Sequence, residues 1–361
     1  MGEGDAMAPP QTSTVLSTPA PPVSKARAEA IIRDHYGLDV KAFPLIGERD
    51  NNFRLLAGDG REFLLKIVNP AEDVAVTDFQ TEALLHLARR DVDLPVPRVV
   101  RTQDGEAYFW LEEPGQPPRL VRVLTYLPGT PLAKLERGPA LRRNLGAGLA
   151  QLDRALDGFE HAGSPADLLW DLTHAPSLRP LVVHVEDEEA RALVTAVLDR
   201  LEAHTLPLTA GLRTQVIHND FNPSNILVGQ GRDGELDQLA GIIDFGDMVR
   251  APLVNEVGVS ASYHVGEGVD FLEPVKQFVA GYNRIQPLQD DEIGCLFDLI
   301  CGRMTLTAII TAWRCTLEPG NRDYILRNAG RAWAGLAAAR SLSSNQAADE
   351  FHLYLSKDRL S

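Results

Sequence analysis

The apolar positions of this chain follow two periods, and the change from one to the other falls near residue 127. The first part reads mainly as short strands, with two helices among them. Ser24 is placed to cap a helix running through Tyr36, with Ala28, Ile31, Ile32 and Tyr36 on one face and Gly37 just past its end. A strand, a polar turn and a second strand occupy Leu45 to Leu55. Gly58-Asp59-Gly60 closes the next hairpin, ahead of a strand over Glu62–Ile67. Thr77-Asp78-Phe79-Gln80 reads as a capping box for a helix to Arg89, with Phe79, Ala83, Leu84, Leu87 and Ala88 as its core stripe. Strands follow at Arg98 to Arg101, Tyr108 to Leu111 and Leu120 to Leu127, the last ending at Pro128-Gly129. Beyond that point the period is helical. Helices are expected near Pro139–Leu156, Glu188–His204, Val254–His264, Val269–Arg284, Asp290–Leu317 and Tyr324–Leu342. The class is α+β. The expected division is a disordered tail at 1–23, a sheet lobe at 24–126, a mainly helical lobe at 127–345 and a short tail at 346–361.

One stretch breaks the helical run. Val216 to Val228 reads as two apolar strands around a polar loop holding His218, Asp220 and Asn225, and the apolar Gly241-Ile242-Ile243 leads to Asp244-Phe245-Gly246. These residue types in this order suit phosphoryl transfer. A carboxylate at Asp220 accepts the proton of an alcohol nucleophile, while Asn225 and Asp244 offer oxygen ligands to Mg2+. The long spacing between Asp220 and Asp244 is filled by a surface hairpin loop, Gly229 to Gly234.

Upstream residues fit the same chemistry. Lys66 lies among apolar strand neighbours and needs a partner. Glu82, one turn into the following helix, is the candidate, and the pair would hold phosphate oxygens. Asn51 and Asn52 stand in the polar turn and can donate to phosphate. The edge from Thr125 to Leu127 is expected to pair its backbone with the nucleotide base. Trp170-Asp171 sets an aromatic ring beside a carboxylate, a combination suited to a substrate ammonium group. Arg303, among Met304, Leu306, Ala308 and Ile309, is suited to an anion, either a substrate carboxylate or the side chain of Asp298.

Composition narrows the picture further. The 361 residues are 44% hydrophobic and 24% charged, and the net charge is −15. That balance disfavours nucleic acid as a partner and suits either a cationic substrate or simple solubility. Cys295, Cys301 and Cys315 are an odd set without metal-ligand spacing and are expected as buried thiols in a reducing, cytoplasmic setting. Met1 to Val23, rich in Pro, Ser and Thr, lacks the apolar core of a signal peptide, and no stretch reads as a membrane span.

The motif His-x-Asp-x-x-x-x-Asn from His218 to Asn225, followed by Asp244-Phe-Gly, resembles that of protein kinases. Asn219 stands where those enzymes carry Arg, Pro223 and Ser224 fill the place of a loop Lys, and the Ala-Pro-Glu motif is missing. With these departures the chain resembles the aminoglycoside phosphotransferase family, the small-molecule branch of the kinase fold. The segments Arg122 to Gly129, Trp170-Asp-Leu172 and Ile243 to Met248 are similar to hydroxylysine kinase and to the kinase domains fused to class III aminotransferases. The resemblance covers roughly Ala26 to Arg314. It implies a two-lobed protein-kinase-like fold with a five-stranded N-terminal sheet. It also implies Mg2+ and ATP or GTP as phosphate donor, with the hydroxyl of a small amine or amino acid as acceptor. Asp247 joins Trp170, Asp171 and Arg303 as a candidate substrate contact, and Glu256 falls where relatives bind the catalytic-loop backbone. An antibiotic phosphotransferase and a nucleotide-binding pseudokinase are the alternative readings.

Overall fold

The structure is a computed structural model and describes residues 18, 20–45, 47, 50–90, 93–165, 168–231, 233–266, 268 and 270–358. The tail expected at 1–23 lies outside these residues up to position 17. So do Ile46, Glu48 and Arg49 of the first turn, Arg232 of the surface loop and Val269. The chain divides into two compact units, Met1–Pro128 with His161–Leu169, and Gly129–Glu160 with Trp170–Ser361.

In the first unit, α1 (Lys25–Tyr36) begins at Ser24, whose Oγ accepts the Arg27 N–H at 3.2 Å, and stops at Gly37 with φ +64°. It covers one face of a six-stranded antiparallel sheet built from β1 (Val40–Leu45), β2 (Asn51–Ala57), β3 (Glu62–Ile67), β4 (Val99–Val100), β5 (Phe109–Leu111) and β6 (Arg119–Thr125). The order is β1-β2-β3-β6-β4, with β5 also on β6. The resemblance implied five strands. The sixth fits because β4 and β5 are short and divide one edge of β6 between them, Val99 opposite Leu124 and Phe109 opposite Val121.

Strand alternation sorts the residues by face. Phe53, Leu55, Phe63, Leu65, Ile67, Val121 and Val123 join Ala28, Ile31, Ile32 and Tyr36 in one buried cluster. The register places Asn52, Lys66 and Arg122 side by side on the other face. Arg122 ties that face to α2 (Val74–Arg90) by donating to Thr81 Oγ1 at 2.9 Å and Gln80 Oε1 at 2.5 Å. Helix α2 starts three residues before the expected capping box. Asp73 Oδ1 accepts the Ala75 N–H at 2.9 Å and supplies the cap, leaving Thr77 buried inside the helix. The described end of the N-terminal tail is pinned. Thr18 O accepts from Asn69 Nδ2 at 2.8 Å, and Pro21 O accepts from Asn51 Nδ2 at 2.9 Å and Arg119 Nη1 at 3.0 Å.

The second unit holds α3 (Pro139–Leu156), α4 (Glu188–Arg200), α5 (Leu253–Ser262), α6 (Glu273–Ile285), α7 (Asp290–Leu317), α8 (Ala329–Ala339) and α9 (Ser344–Asp358), with short strands between. Helix α4 runs on through a wider turn, Leu201–Thr205, and a single turn at Leu206–Thr209. A 3-10 stretch, Leu172–His184, precedes α4. Helix α7 is apolar all round because it is the core. By length and composition it reaches the standard of a membrane span, contrary to the sequence reading, yet 94% of its most apolar window is buried within the protein. All three cysteines lie on it, buried and unpaired. The segment assigned to a C-terminal tail is instead α9, which buries Ala347, Phe351 and Leu355 at helical spacing.

Helices α3 and α6 pack backbone to backbone. A Cβ on Gly146 would lie 2.0 Å from Phe278 O, and one on Gly281 would lie 2.0 Å from Arg143 O. Asp153 and Tyr282 close the same contact with a 2.7 Å hydrogen bond. Gly281→Ala or Gly146→Ala must push these helices apart, and each is expected to destabilise the protein by about 1–3 kcal/mol in denaturant unfolding. Unchanged unfolding midpoints would show that the two helices separate without cost.

Candidate active site

The loop that joins β8 (Thr214–Ile217) to β9 (Ile226–Gln230) carries the candidate catalytic residues. It is anchored on three sides. β8 pairs with β11 (Val249–Pro252), and β9 pairs with β10 (Leu236–Ile242) and β7 (Thr130–Pro131). Ile243 N–H donates to Asn225 O at 2.8 Å, which stitches the approach to Asp244 onto the end of the loop. Within the loop His218 is fully buried. Its Nδ1 accepts the Asp220 N–H at 3.3 Å, so its Nε2 donates to Ile243 O at 3.2 Å. Burial lowers its pKa to about 4, and the ring is therefore neutral and rigid. Glu256 on α5, also fully buried, accepts the Asn219 N–H on Oε2 at 2.8 Å, and burial pushes its carboxyl up to about 7.

Asn219 and Asp244 share an unusual backbone. They are the two non-glycine residues at positive φ among the described residues, each at 61°. Such conformations cost on the order of 1–3 kcal/mol and persist where the surroundings enforce them. At Asn219 the enforcing contact is Glu256. At Asp244 the left-handed turn leaves the carboxylate exposed to solvent ahead of the buried Phe245, whose ring packs edge-on at 4.8 Å from His218.

Asp220 is the most constrained side chain of the loop. Its Oδ2 accepts from Asn225 Nδ2 at 2.7 Å and Asn222 Nδ2 at 2.9 Å, and its Oδ1 accepts from Arg303 Nη2 at 2.9 Å. Burial raises its pKa to about 7 against the pull of the Arg303 guanidinium, with Asp247 and Asp244 adding to the rise. Asn225 donates a second bond to Asp220 O at 3.0 Å. Both of its amide hydrogens are thereby engaged and the position of its oxygen is set.

The candidate substrate residues do not stand where the sequence suggested. Arg303 is not open to a carboxylate and does not pair with Asp298. Asp298 instead pairs with Arg200 at 2.8 Å and accepts from Thr205 Oγ1 at 3.0 Å. The face of Trp170, expected to receive an ammonium group, is covered by the Arg303 guanidinium 4.8 Å from the ring centroid. Asp171 caps the 3-10 stretch by accepting the Thr173 N–H at 2.9 Å. Asp247, partly exposed in the turn after Asp244, is the remaining acidic side chain of that group.

In the first unit, Lys66 is not brought to Glu82. Its Nζ lies 3.5 Å from Asp50 Oδ2, and the charge of Glu82 acts instead on the Tyr108 phenol, whose pKa is raised by burial, by its hydrogen bond to Asp78 and, to a lesser degree, by Glu82. Asp50 Oδ1 also accepts the Asn69 N–H at 3.1 Å. The Asn51 amide is engaged by Pro21 O, and Thr125 Oγ1 accepts the Arg98 N–H at 2.9 Å. Asn52 lies beside Lys66 on the neighbouring strand, and Leu127 follows the end of β6 half-buried. Sequence reasoning missed Asp50, Asn222 and Tyr263. Asp50 and Asn222 sit one and two residues from positions that were singled out, whereas Tyr263 is joined to the loop only by folding.

A strand lysine on one unit and an Asp-x-x-x-x-Asn loop with a left-handed Asp-Phe-Gly turn on the other define the class: a protein-kinase-like fold that transfers phosphoryl groups. The chain belongs to the phosphotransferase enzyme family known as APH, whose model matches residues 41–288. It is a small-molecule kinase acting on a hydroxyl group. Hydroxylysine kinase of Bos taurus is 29% identical over 356 residues, spanning 93% of each chain. A microcompartment-associated aminopropanol kinase superposes with a TM-score of 0.63 at 19% identity, covering 94% of this chain and 99% of the other. Amicoumacin kinase, solved with AMP-PNP and Ca2+, superposes with a TM-score of 0.61 at 13% identity over 82% of this chain and 89% of its own.

Asp220→Asn is expected to lose on the order of 10²-fold or more in kcat with nucleotide affinity retained. Near wild-type turnover would remove Asp220 from its role. Lys66→Ala is expected to raise the nucleotide KM and reduce kcat, and Asp50→Ala to raise that KM by a smaller factor. A larger KM effect from Glu82→Ala than from Asp50→Ala would return the helix carboxylate to the role of partner.

Proposed function

We propose that this kinase transfers the γ-phosphate of ATP or GTP to the side-chain hydroxyl of a small hydroxylated amino acid of the hydroxylysine type. The observation that carries the chemistry is the Asp220 carboxylate. Two amide donors take up Oδ2, and a single guanidinium hydrogen bond reaches Oδ1. One lone pair on Oδ1 thus remains to orient the acceptor hydroxyl and accept its proton as the phosphoryl group arrives. The acceptor class follows from the likeness to hydroxylysine kinase, which runs through almost the whole of both chains. An ammonium-bearing acceptor also suits the carboxylates of Asp244 and Asp247, which remain partly or fully exposed.

The donor set fits a hard divalent cation such as Mg2+. Asp244 offers an exposed carboxylate and Asn225 a fixed amide oxygen. Among the described residues no group of three or more His, Cys, Asp or Glu could hold a metal by itself. A cation with two protein ligands completes its shell with nucleotide phosphate and water, as Mg2+ does in kinases, and when bound it neutralises phosphate charge. Lys66 is the residue of the first unit that would hold phosphate oxygens. The residues of this chain then have separate tasks: Asp220 orients the hydroxyl and takes its proton, and Glu256 and His218 keep the loop rigid.

Asp244→Ala is expected to abolish turnover and weaken Mg-nucleotide binding in calorimetry, and wild-type binding with retained turnover would refute that assignment. The acceptor is tested by kcat/KM with hydroxylysine, its decarboxylated amine and an aminoglycoside. Hydroxylysine should be preferred. Preference for the amine, or activity on the aminoglycoside alone, would overturn the acceptor assignment and leave the kinase class intact.

A further inference from the structure

The catalytic loop, His218 to Asn225, contains no lysine or arginine. The cation at Asp220 comes from elsewhere in the fold, the middle of core helix α7. Arg303 is 2% exposed and makes four hydrogen bonds. Nη2 donates to Asp220 Oδ1 at 2.9 Å and to Tyr263 Oη at 3.0 Å, Nε to Tyr263 Oη at 3.3 Å, and Nη1 to Trp170 O at 3.2 Å. The guanidinium plane is also flanked by the Trp170 ring at 4.8 Å and the Tyr263 ring at 5.8 Å. Three segments far apart in sequence therefore build a socket for one cation, and the cation faces one oxygen of one carboxylate.

We propose that Arg303 is a positioning residue for phosphoryl transfer: it fixes the plane of the Asp220 carboxylate and directs the remaining lone pair of Oδ1 at the acceptor hydroxyl. The inference rests on Asp220 being the group that receives the acceptor proton. Its physical basis is geometric. With Oδ2 tied to Asn222 and Asn225, rotation of the carboxylate is stopped only if Oδ1 is held as well, and Arg303 is the side chain that holds it. A near-attack arrangement tolerates little misplacement, so a carboxylate free to turn would cost turnover and leave nucleotide binding intact. Lysine would keep the charge but not the fork, which reaches Asp220, Tyr263 and Trp170 at once.

The test is a double-mutant cycle on kcat, using the preferred acceptor of the panel, with nucleotide and acceptor KM measured in each variant. Arg303→Ala is expected to lower kcat on the order of 10²-fold with nucleotide KM within about twofold of wild type. Arg303→Lys should lie between the two, and methylguanidinium added to Arg303→Ala should restore part of the lost rate. Because the two groups act as a unit, Asp220→Asn combined with Arg303→Ala should be no slower than Asp220→Asn alone. Losses that multiply, or an Arg303→Ala effect confined to the acceptor KM, would overturn the inference, the latter by returning Arg303 to a substrate-carboxylate role. If Arg303→Ala does not fold, Arg303→Lys and Tyr263→Phe decide: both should lower kcat without changing nucleotide KM, and unaltered kcat in both refutes the proposal. A turnover-competent Asp220→Asn variant would instead refute the reading of Asp220, an outcome distinct from all of these.

Discussion

A carboxylate withdrawn from water must be compensated by its neighbours, and the second unit is arranged around meeting that requirement at Asp220. Breaking one partner of a buried ion pair typically costs about 3–5 kcal/mol, because the other charge is left stranded. The loop cannot satisfy Asp220 by itself, since Asn222 and Asn225 are neutral. The guanidinium of Arg303 supplies the opposite charge, and it brings its own requirement, which Tyr263 and Trp170 meet. Each buried polar group thus passes its need for a partner to the next, and the chain of contacts runs through the core helix to Tyr263 and Trp170.

Helix α7 gives this arrangement its rigidity. The Gln289–Glu292 capping box starts it, and Arg213 clamps the fully buried Glu292 through Nε at 2.6 Å and Nη2 at 2.7 Å. Asp298, five residues before Arg303, is held by Arg200, Thr205 and Ser344. Glu292, Asp298 and Arg303, the buried charges on this mostly apolar helix, are each matched to a partner on a different element. They fix its rotation, and with it the direction in which Arg303 projects. Glu256 does the same for the other side of the loop by holding Asn219 in its left-handed turn.

The first unit meets a similar requirement differently. Lys66 finds its carboxylate in the turn preceding β2, where Asp50 also holds the start of the segment after β3. The connection between sheet and helix falls to Arg122, whose fork engages Thr81 and Gln80. The lysine is thereby coupled to the turn and the helix is coupled to β6, so the two supports are separate.

Much of this protein was legible in residue order alone, because the decisive signals were local. Ser24 and Gly37 bound the first helix, Pro139–Leu156 carries an unbroken helical period, Asp290–Leu317 is a long apolar run behind acidic residues, and His218 to Asn225 with Asp244-Phe-Gly states its chemistry within short stretches. Pairings between distant segments were not legible. Lys66 has several carboxylates within plausible reach along the chain, and strand register rather than spacing chose Asp50 over Glu82. Arg303 has one acidic residue near it on its own helix, Asp298, and at five residues' separation the two do not share a face. The fold instead brings the loop carboxylate of Asp220 to Arg303 and gives Asp298 to Arg200. Trp170 and Asp171 together describe an ammonium site in sequence, but in the fold one is covered by an internal cation and the other caps a turn. Local sequence determined which elements form and which chemistry is present. Only tertiary packing decided which charge faces which, because burial makes each charge seek whatever partner the fold brings within about 3 Å.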